Sequence, residues 1–364
     1  MRGTIKSQPE MLCLMSLENR VPVDHPLRTI KKNVDEILKR LSPLFDGMYA
    51  EIGRASIPPE RLLKAKLLMA FYSVRSDRLF CEMLTYHMLF LWFLDMDMTD
   101  KPWDHSSFSK YLSQAVEHEV GQTFFEEVVL LAKDKHLLSD EHFTVDGTLI
   151  EAWASMKSFV RKGKKAKGTD DDSGNPTVDF HGEKRTNQTH ESTTDPEARL
   201  MKKSAGKEAR LCFGAHALME NRNGLLMDLK VTSATETTET KAAIKILEEK
   251  KKDRLMEARS VGADKGYHNR EFVSHLRQEE IRPHVAEVTD RKVKGLDGRT
   301  TSVCGYALSQ RIRKRVEEIF GWMKTTGGLR KSRYRGIAKT QTAAYWVGAA
   351  YNLLRISRLQ VAPT

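Results

Sequence analysis

Apolar residues in the first third of the chain recur at steps of three and four residues, the spacing of an amphipathic helix. The longest such stripe consists of Leu27, Ile30, Val34, Ile37, Leu38, Leu41 and Leu44. A second helix is predicted from the Pro58–Pro59 pair, because proline is tolerated in a first helical turn, and a third from a cap at Ser76 or Asp77. Another helix is predicted to follow residues 104–107. The pattern predicts an all-helical domain over residues 1–136, of a kind that serves DNA binding in some proteins and other roles in many.

The pattern changes after Leu138, where alternating polar and apolar residues rich in β-formers begin. Strands are predicted over 142–150, 209–220, 224–234 and 258–264, with a charged helix over 238–257. Residues 221–224 join the second and third of these strands, and their Asn-Gly pair is a strong hairpin signal. A last helix is predicted from about Ser309 to the Gly327–Gly328 pair, since glycine commonly ends helices. Residues 137–364 are therefore predicted to form an α/β (α+β) domain around a mixed sheet.

The segment 157–207 differs from both of its flanks. It holds very few large apolar residues and begins with a dense run of lysines and arginines. A segment of this kind buries too little surface to offset the entropy of ordering it. We therefore expect a flexible or partly disordered insertion, whose basic start could contact phosphates or serve only as a solvated linker.

Composition narrows the class of protein. The chain has 364 residues, 40% of them hydrophobic, which allows a sizeable core and excludes a disordered protein. Its net charge of +11 favours a polyanionic partner such as nucleic acid. The most apolar run, residues 88–94, is far shorter than the roughly 20 residues of a membrane span. The widely spaced cysteines exclude a disulfide framework or a zinc site, and we expect a cytoplasmic protein with no membrane partner.

Two aspartates occupy matching places in predicted strands. Asp146 lies in a β-rich run and is followed by glycine, and Asp264 follows a short apolar strand just before a turn. Because they are 118 residues apart in the sequence, only strand pairing in the sheet can bring them together. Taken alone, either aspartate would be better explained as a helix cap or a turn residue. The pair favours a site for a divalent cation, since Mg²⁺ binds anionic oxygen ligands.

The last predicted helix carries a third acidic candidate. Arg313, Glu317 and Lys324 follow one another at steps of four and seven residues and so share one side of the helix. Taken alone, this spacing is better explained by a surface salt bridge. Glu318, next to Glu317 in the sequence, is an alternative candidate for the third acidic residue.

In their order and context, these motifs resemble the bacterial insertion-sequence transposases of the DDE superfamily, in the branch of the insertion-sequence-four and insertion-sequence-five groups. The run TVDGT supplies Asp146, GADKGY supplies Asp264 and Tyr267, and the helix supplies an arginine, a glutamate and a lysine at the family's spacing. The family's tyrosine position in that helix is Gln310 here. Residues 103–111 and 194–203 also resemble family segments, so that the likeness runs from about Val21 to Leu354.

The resemblance implies a ribonuclease-H-like catalytic domain, with the two aspartates on neighbouring strands and the glutamate on a packed helix. Asp146, Asp264 and Glu317 would be catalytic and would hold two divalent metal ions, Mg²⁺ or else Mn²⁺. We expect Asp146 to bridge both ions, with Asp264 and Glu317 each completing one side. His268 is left out of the catalytic set, because a lone histidine after a strand is more often structural.

The expected reaction is metal-dependent cleavage of the element's ends, followed by transfer of their 3′-OH groups into target DNA. The expected partner is double-stranded DNA, both terminal inverted repeats and target, bound by a homodimer or larger oligomer near the bacterial nucleoid. A dense basic stripe should contact this DNA. The residues expected to contact DNA are Arg313, Lys324, Tyr267, Arg311, Lys314, Arg315, Arg330, Lys331, Arg333 and Arg335.

Three other functions stay open on the sequence. One is a ribonuclease-H-like nuclease without strand transfer, which an assay for joining of 3′-OH ends would separate. Another is a non-catalytic DNA-binding regulator derived from a transposase, which Mg²⁺-dependent cleavage would exclude. The third, a basic helical interaction protein, leaves the ordered Asp, Asp, Glu series unexplained.

Overall fold

The computed structural model describes residues 16–49, 56–163, 179–180, 183–202, 206, 208–235, 238–288 and 301–361. Within these residues the helices are α1 Leu17–Arg20, α2 Pro26–Arg40, α3 Ser42–Asp46, α4 Pro59–Phe71, α5 Asp77–Met83, α6 Met88–Phe93, α7 Ser106–Glu117, α8 Val120–Asp134, α9 Thr238–Lys252, α10 Arg270–Gln278, α11 Tyr306–Ile312, α12 Val316–Lys324 and α13 Ile337–Val361. The strands are β1 His142–Glu151, β2 Phe159–Arg161, β3 Asp179–Phe180, β4 Glu183–Lys184, β5 His190–Ser192, β6 Arg199–Met201, β7 Arg210–Glu220, β8 Leu225–Ser233, β9 Ser260–Ala263 and β10 Arg282–Val285.

Among the N-terminal helices, α2 and α5 begin where local chemistry favours a helix start. Helix α2 has Pro26 at its first position, and the His25 ring nitrogen accepts a hydrogen bond of 3.2 Å from the amide of Leu27. Helix α5 is capped by Ser76, whose hydroxyl accepts a bond of 3.2 Å from the amide of Leu79. The predicted helical character of this part of the chain is therefore confirmed, with Ser76 as the cap.

The main sheet is mixed, as predicted. Its long strands lie in the order β8, β7, β1, β9, β10, and β6 pairs with the first residues of β7. The hairpin β7–β8 is antiparallel and β1 pairs antiparallel with β7, whereas β9 runs parallel to both β1 and β10. With α12 packed against β1, the two predicted aspartate-bearing strands are neighbours and the glutamate is on a packed helix. The ribonuclease-H-like arrangement is confirmed.

A buried glutamate organises the predicted turn between β7 and β8. The Glu220 carboxylate is fully buried and accepts hydrogen bonds from the amides of Arg222 at 2.6 Å and Asn223 at 2.9 Å. Gly224 completes the turn with a φ of 67°, a conformation that favours glycine. The hairpin signal in the sequence thus corresponds to a turn that a buried carboxylate holds in place.

Helix α13 connects the N-terminal helices to the sheet. It packs against α2, α4, α7 and α8 on one side and against β8 on the other. The Asn352 side chain binds the backbone of Leu226 twice, accepting from its amide at 2.9 Å and donating to its carbonyl at 2.8 Å. One continuous apolar core therefore runs through the helical layer and the sheet, and the division at residue 136 stays a prediction.

Part of the expected insertion is folded. Strands β2 and β5 pair with each other and β6 joins the main sheet. Asp195 is 1% exposed and accepts a hydrogen bond of 3.1 Å from the amide of Gly336. Polar hydrogen bonds and a few buried apolar side chains such as Phe159 order this part, so its largely polar composition did not indicate structure. Residues 164–178, 181–182, 203–205 and 207 of the expected insertion lie outside the described residues.

The predicted C-terminal helix is divided in the middle. A tight 3₁₀ turn over Arg313–Arg315 separates α11 from α12, and Gly328, with a φ of 68°, follows the helix end as expected. The Arg315 guanidinium donates to the carbonyls of Asn221 at 2.5 Å and Arg222 at 2.8 Å. These bonds fix the tight turn against the β7–β8 turn. No helix in the described part of the chain is both long and apolar enough to cross a membrane.

Candidate active site

Strand pairing brings the two predicted aspartates into the same region of the sheet. Strands β1 and β9 pair in parallel, with His142 beside Ser260 and Thr144 beside Gly262. Asp146 and Asp264 lie two residues beyond the last of these pairs, at the same offset of 118 residues. The charge of Asp264 acts on the Asp146 carboxylate. The two carboxylates are therefore neighbours at the point where the paired part of β9 ends.

Asp146 lies in a half-buried position inside the sheet. Burial raises its pKa to about 6, a shift opposed by the amide of Gly147, which donates to the carboxylate at 2.8 Å. The negative charge of Asp264 raises the pKa further, and the positive charge of Arg313 lowers it. The Asp146 carboxylate therefore interacts electrostatically with the carboxylate of Asp264 and with the guanidinium of Arg313.

Asp264 caps the short turn that follows β9. Its carboxylate accepts a hydrogen bond of 2.8 Å from the amide of Gly266, at the start of the 3₁₀ turn Lys265–Tyr267. This turn folds Tyr267 inward, where the side chain is 1% exposed. A side chain this buried offers no ring face for stacking on DNA. His268 is also buried, and its ring nitrogen accepts a bond of 3.3 Å from the amide of Val288.

The Tyr267 hydroxyl is buried with no hydrogen-bond partner in the described part of the chain. Burial raises its pKa well above the usual value, and the charges of Glu239, Asp146 and Asp264 raise it further. The phenol therefore lies within the field of the carboxylates.

Glu239 is an additional acid that the sequence did not single out. It lies in the first turn of α9, and its Oε1 is 2.9 Å from the position that a Cβ on Gly147 would take. Burial of the carboxylate and the charge of Asp264 both raise its pKa. Acidic residues are common in first helical turns because they interact favourably with the helix dipole. The sequence therefore held no signal that separates Glu239 from an ordinary helix start.

Helices α11 and α12, with the tight turn between them, pack across β10, β9 and β1. In the turn, the Cβ of Arg313 lies 3.4 Å from the position that a Cβ on Gly262 would take. At the end of α12, Lys324 donates a hydrogen bond of 2.6 Å to the hydroxyl of Thr148. Gln310, in place of the family's tyrosine, accepts a bond of 2.8 Å from Arg313 and donates one of 2.5 Å to the carbonyl of His284.

Glu317 and Glu318 have different surroundings. Glu318 forms a salt bridge of 3.2 Å with Arg355 on α13. Glu317, between Arg313 and Lys324 in the sequence, is exposed and has no hydrogen bond or ion pair among the described residues. The carboxylate of Glu317 is therefore available for a ligand, whereas that of Glu318 is engaged.

The donor set fits a hard divalent cation. Asp146 and Asp264 supply anionic oxygens, which Mg²⁺ prefers, and their mutual repulsion would be relieved by a cation. The buried Tyr267 hydroxyl, on which the charges of both carboxylates act, has no hydrogen-bond partner among the residues that the structure describes. In the residues that the structure describes, no three histidine, cysteine, aspartate or glutamate side chains are already close enough to share one ion.

The predicted DNA-contacting residues fall into two groups. Arg311, Lys314, Arg330, Lys331 and Arg335 are exposed. Arg333 instead forms a salt bridge of 2.9 Å with Asp77 on α5 and donates to the hydroxyl of Tyr334. Arg315 is likewise engaged with the β7–β8 turn. The exposed group is therefore better placed to bind phosphates.

The basic segment 330–335 runs beside the end of β1. The amide of Glu151 donates to the carbonyl of Arg330 at 3.0 Å, and the amide of Ser332 donates to the carbonyl of Glu151 at 2.7 Å. Trp153, which is 51% exposed, has Lys331 5.9 Å from its ring centre. An exposed aromatic beside exposed cations is a combination suited to nucleic acid, and the sequence did not indicate this tryptophan.

Two solved transposase structures resemble this chain weakly. PiggyBac transposase, from the cryo-EM structure of its synaptic complex with hairpin DNA, is 10% identical, with a TM-score of 0.42 over 93% of this chain and 76% of that one. Mos1 transposase, from its paired-end complex with left transposon end, is 11% identical, with a TM-score of 0.21 over 79% of this chain and 84% of that one. No curated protein matches the chain.

Two family matches cover separate parts of the sequence. Residues 15–114 match the family described as "Transposase domain (DUF772)", and residues 176–353 match the family described as "Transposase DDE domain". Asp264 and Glu317 lie within the second match, whereas Asp146 lies between the two. Because both are transposase families and their matches together span most of the sequence, the chain belongs to the DDE transposases, which cleave DNA and transfer its strands in a metal-dependent reaction.

Proposed function

We propose that Asp146, Asp264 and Glu317 are the catalytic carboxylates of this transposase and that they hold two divalent ions, Mg²⁺ or Mn²⁺. The observation that supports the proposal is the parallel pairing of β1 with β9, since Asp146 and Asp264 follow the paired residues at the same offset and interact electrostatically. We include Glu317 because it is exposed, has no hydrogen bond or ion pair among the described residues, and lies on α12, which packs against β1. Asp146 would contact both ions, with Asp264 and Glu317 each on one side.

Cleavage of a phosphodiester needs an activated oxygen nucleophile and stabilisation of charge on the leaving oxygen, both of which a pair of divalent ions supplies. The protein's own residues position the reacting groups. Asp146, with a pKa of about 6, is ionised at neutral pH and ready to bind a cation. Arg313, which donates a hydrogen bond to Gln310, would neutralise a phosphate near the cut. Strand transfer is the same displacement with a DNA 3′-OH in place of water.

The DNA substrates we propose are the element's terminal inverted repeats and a target duplex. The exposed cations Arg311 and Lys314 lie at the end of α11 and in the turn that follows it, and the basic segment 330–335 bonds to the end of the strand that carries Asp146. Residues 1–136 would supply further DNA contacts. Because two ends must be brought together, we propose a homodimer or larger oligomer, acting in the bacterial cytoplasm, where the DNA lies. The insertion-sequence-four or -five group assignment stays a prediction.

The proposal is tested with duplexes that carry the element's own ends, in Mg²⁺. We expect the wild type to cut at the ends and to join the 3′-OH ends to a second duplex. Asp146→Asn and Asp264→Asn should bind the same DNA and fail in both steps. Undiminished cleavage by either variant would refute the assignment, and cleavage without joining in the wild type would favour a nuclease.

A further inference from the structure

A cavity lies between α4 with the turn that follows it, the segment that joins α12 to α13, and α13 itself. Its volume is about 60 Å³, several times the space that one water molecule needs. Hydrogen bonds join two of its walls. The Ser73 hydroxyl donates to the carbonyl of Thr326 at 3.0 Å, and the Arg75 guanidinium donates to the carbonyl of Lys331 at 3.1 Å. The N-terminal helices and the C-terminal part of the chain therefore form this cavity together.

The wall of the cavity carries an excess of positive charge. Its cationic side chains are Lys66, Arg75, Lys331 and Arg333, and no aspartate or glutamate is among the described residues that line it. Lys66 and Arg333 share the carboxylate of Asp77, at 2.7 Å and 2.9 Å. Burial lowers the pKa of the Lys66 amine to about 8, although the charge of Asp77 opposes the shift. An anion in the cavity would neutralise charge that the surrounding protein leaves uncompensated.

A buried donor in the same wall points to a ligand. Trp346 on α13 is 3% exposed and lines the cavity, and its indole N–H has no hydrogen-bond partner among the described residues. The Lys66 ammonium lies 5.9 Å from the centre of the Trp346 ring. A buried donor without an acceptor is costly. A negatively charged acceptor in the cavity would satisfy the indole N–H and the cations together.

The surroundings of the cavity favour a phosphate of DNA as this anion. Arg75 and Lys331 are exposed, so a ligand can reach part of the cationic wall from the surface. Lys331 belongs to the basic segment 330–335, whose backbone bonds to Glu151 at the end of the strand that carries Asp146. A duplex that lies along this segment would bring its backbone to the cavity.

We propose that the cavity binds one backbone phosphate of the bound DNA through Arg75, Lys331 and the indole N–H of Trp346. Lys66 and Arg333 add positive charge from the same wall. The inference rests on the proposed function, because it needs DNA as the substrate. Because Arg75 follows α4 and Lys331 precedes α13, the phosphate would be held by the helical and the catalytic parts of the chain at once.

The first test measures binding of the full chain to a duplex with the element's end, by fluorescence anisotropy at several salt concentrations. We expect Arg75→Gln to weaken binding about tenfold, since a charged hydrogen bond is lost, and to lower the salt slope by about 0.9. Arg20→Gln removes an exposed arginine of α1 and should bind as the wild type does. Equal affinities of these two variants would overturn the proposal.

The indole donor is tested by a variant that keeps the charge of the protein. Trp346→Phe should weaken DNA binding about threefold and leave the salt slope unchanged, because it removes a neutral hydrogen bond only. Its melting temperature without DNA shows whether it folds. A folded Trp346→Phe with wild-type affinity would show that the indole N–H does not contact the DNA.

A further test locates the phosphate on the DNA. Each duplex in a series carries one methylphosphonate linkage, which removes the charge of one phosphate near the cut. We expect one position to weaken wild-type binding about tenfold and to have no further effect on Arg75→Gln. Losses that add to that of Arg75→Gln at every position would overturn the proposal. If inorganic phosphate then raises the melting temperature of the wild type but not of Arg75→Gln, the cavity takes the free ion instead.

Failure of this inference and failure of the proposed function give different results. If the wild type binds and cuts the element's ends and Arg75→Gln binds them equally well, the inference fails alone. If the wild type neither binds nor cuts these ends in Mg²⁺, the proposed function itself fails.

Discussion

Lys324 donates a hydrogen bond of 2.6 Å to the hydroxyl of Thr148, two residues beyond Asp146 on the same strand. Residues two apart in a strand share a face of the sheet. The bond therefore fixes the end of α12 on the face that carries the Asp146 side chain. Because Glu317 precedes Lys324 on that helix, this bond helps to set where Glu317 can reach.

Removal of this anchor should slow catalysis without weakening DNA binding. Thr148→Val removes this one hydrogen bond of Lys324, and a hydrogen bond to a charged group contributes about 2 kcal/mol. We expect a cleavage rate roughly tenfold lower, since about 1.4 kcal/mol corresponds to tenfold in rate. Thr325→Val, whose hydroxyl donates only to the carbonyl of Gly321, is the control. Equal rates for the two variants would show that the anchor does not position the site.

The two adjacent glutamates of α12 should behave differently. Glu317→Gln should abolish cleavage, because it removes the third proposed carboxylate. Glu318→Gln should cleave at near the wild-type rate and lower the stability by at most about 1 kcal/mol, since its ion pair with Arg355 is largely exposed. Single-turnover cleavage and urea unfolding measure the two effects. An inactive Glu318→Gln beside an active Glu317→Gln would reverse the assignment.

The exposed cations beside β1 should determine the salt dependence of DNA binding. Replacement of Arg330 or Arg335 by alanine should weaken binding to all duplexes alike. For each phosphate that a variant no longer neutralises, the slope of the logarithm of affinity against the logarithm of salt concentration should fall by about 0.9. Lys245→Ala, an exposed lysine on α9, is the matched control. If the salt-dependence slopes of the three variants are equal, the DNA binds to another surface of the protein.

His216 should make the fold sensitive to acid. It lies opposite Gly147 in β7 and is 2% exposed, and burial lowers its pKa from the usual 6.5 to about 4. The unfolded chain takes up a proton as the pH falls below 6.5, while the folded chain resists until about 4. The contribution of this neutral histidine to stability is therefore complete above pH 6.5 and is lost as the pH falls toward 4.

At pH 5 this effect should lower the free energy of unfolding by about 2 kcal/mol relative to pH 7.5. His216→Gln should lack that part of the acid dependence, whereas His136→Gln, at an exposed position, should retain it. Urea unfolding at the two pH values measures the difference. An acid dependence of His216→Gln equal to that of the wild type would contradict this explanation.

The sequence predicted the elements of the site better than their assembly. Alternation and the Asn-Gly turn located β1, β7 and β8, because those signals are local. The pairing of β1 with β9 depends on the whole sheet, so the nearness of Asp146 and Asp264 could be expected only from their matching strand contexts and from family resemblance. Glu239 was missed for the same reason, since an acid in a first helical turn has the same local pattern whether or not it faces a site.

Burial was the other property that the sequence did not reveal. Tyr267 follows a strand in a polar run, and only the turn capped by Asp264 shows that it points inward. Arg333 belongs to a basic stripe, yet its guanidinium pairs with Asp77 from the N-terminal helices. Arg333 pairs with a residue that is distant in the sequence. Tyr267 is buried by the geometry of a turn, which the amino-acid composition does not encode.

The central claim, that Asp146 binds the catalytic metal directly, is tested most directly by a metal-specificity switch. A thiolate is a poor ligand for Mg²⁺ and a better one for softer ions such as Mn²⁺. Asp146→Cys should therefore bind the element's ends, fail to cleave them in Mg²⁺, and regain cleavage in Mn²⁺, while Asp146→Ala stays inactive in both metals. Cleavage by Asp146→Cys at the wild-type rate in Mg²⁺, or equal rescue of Asp146→Ala by Mn²⁺, would contradict direct ligation by this carboxylate.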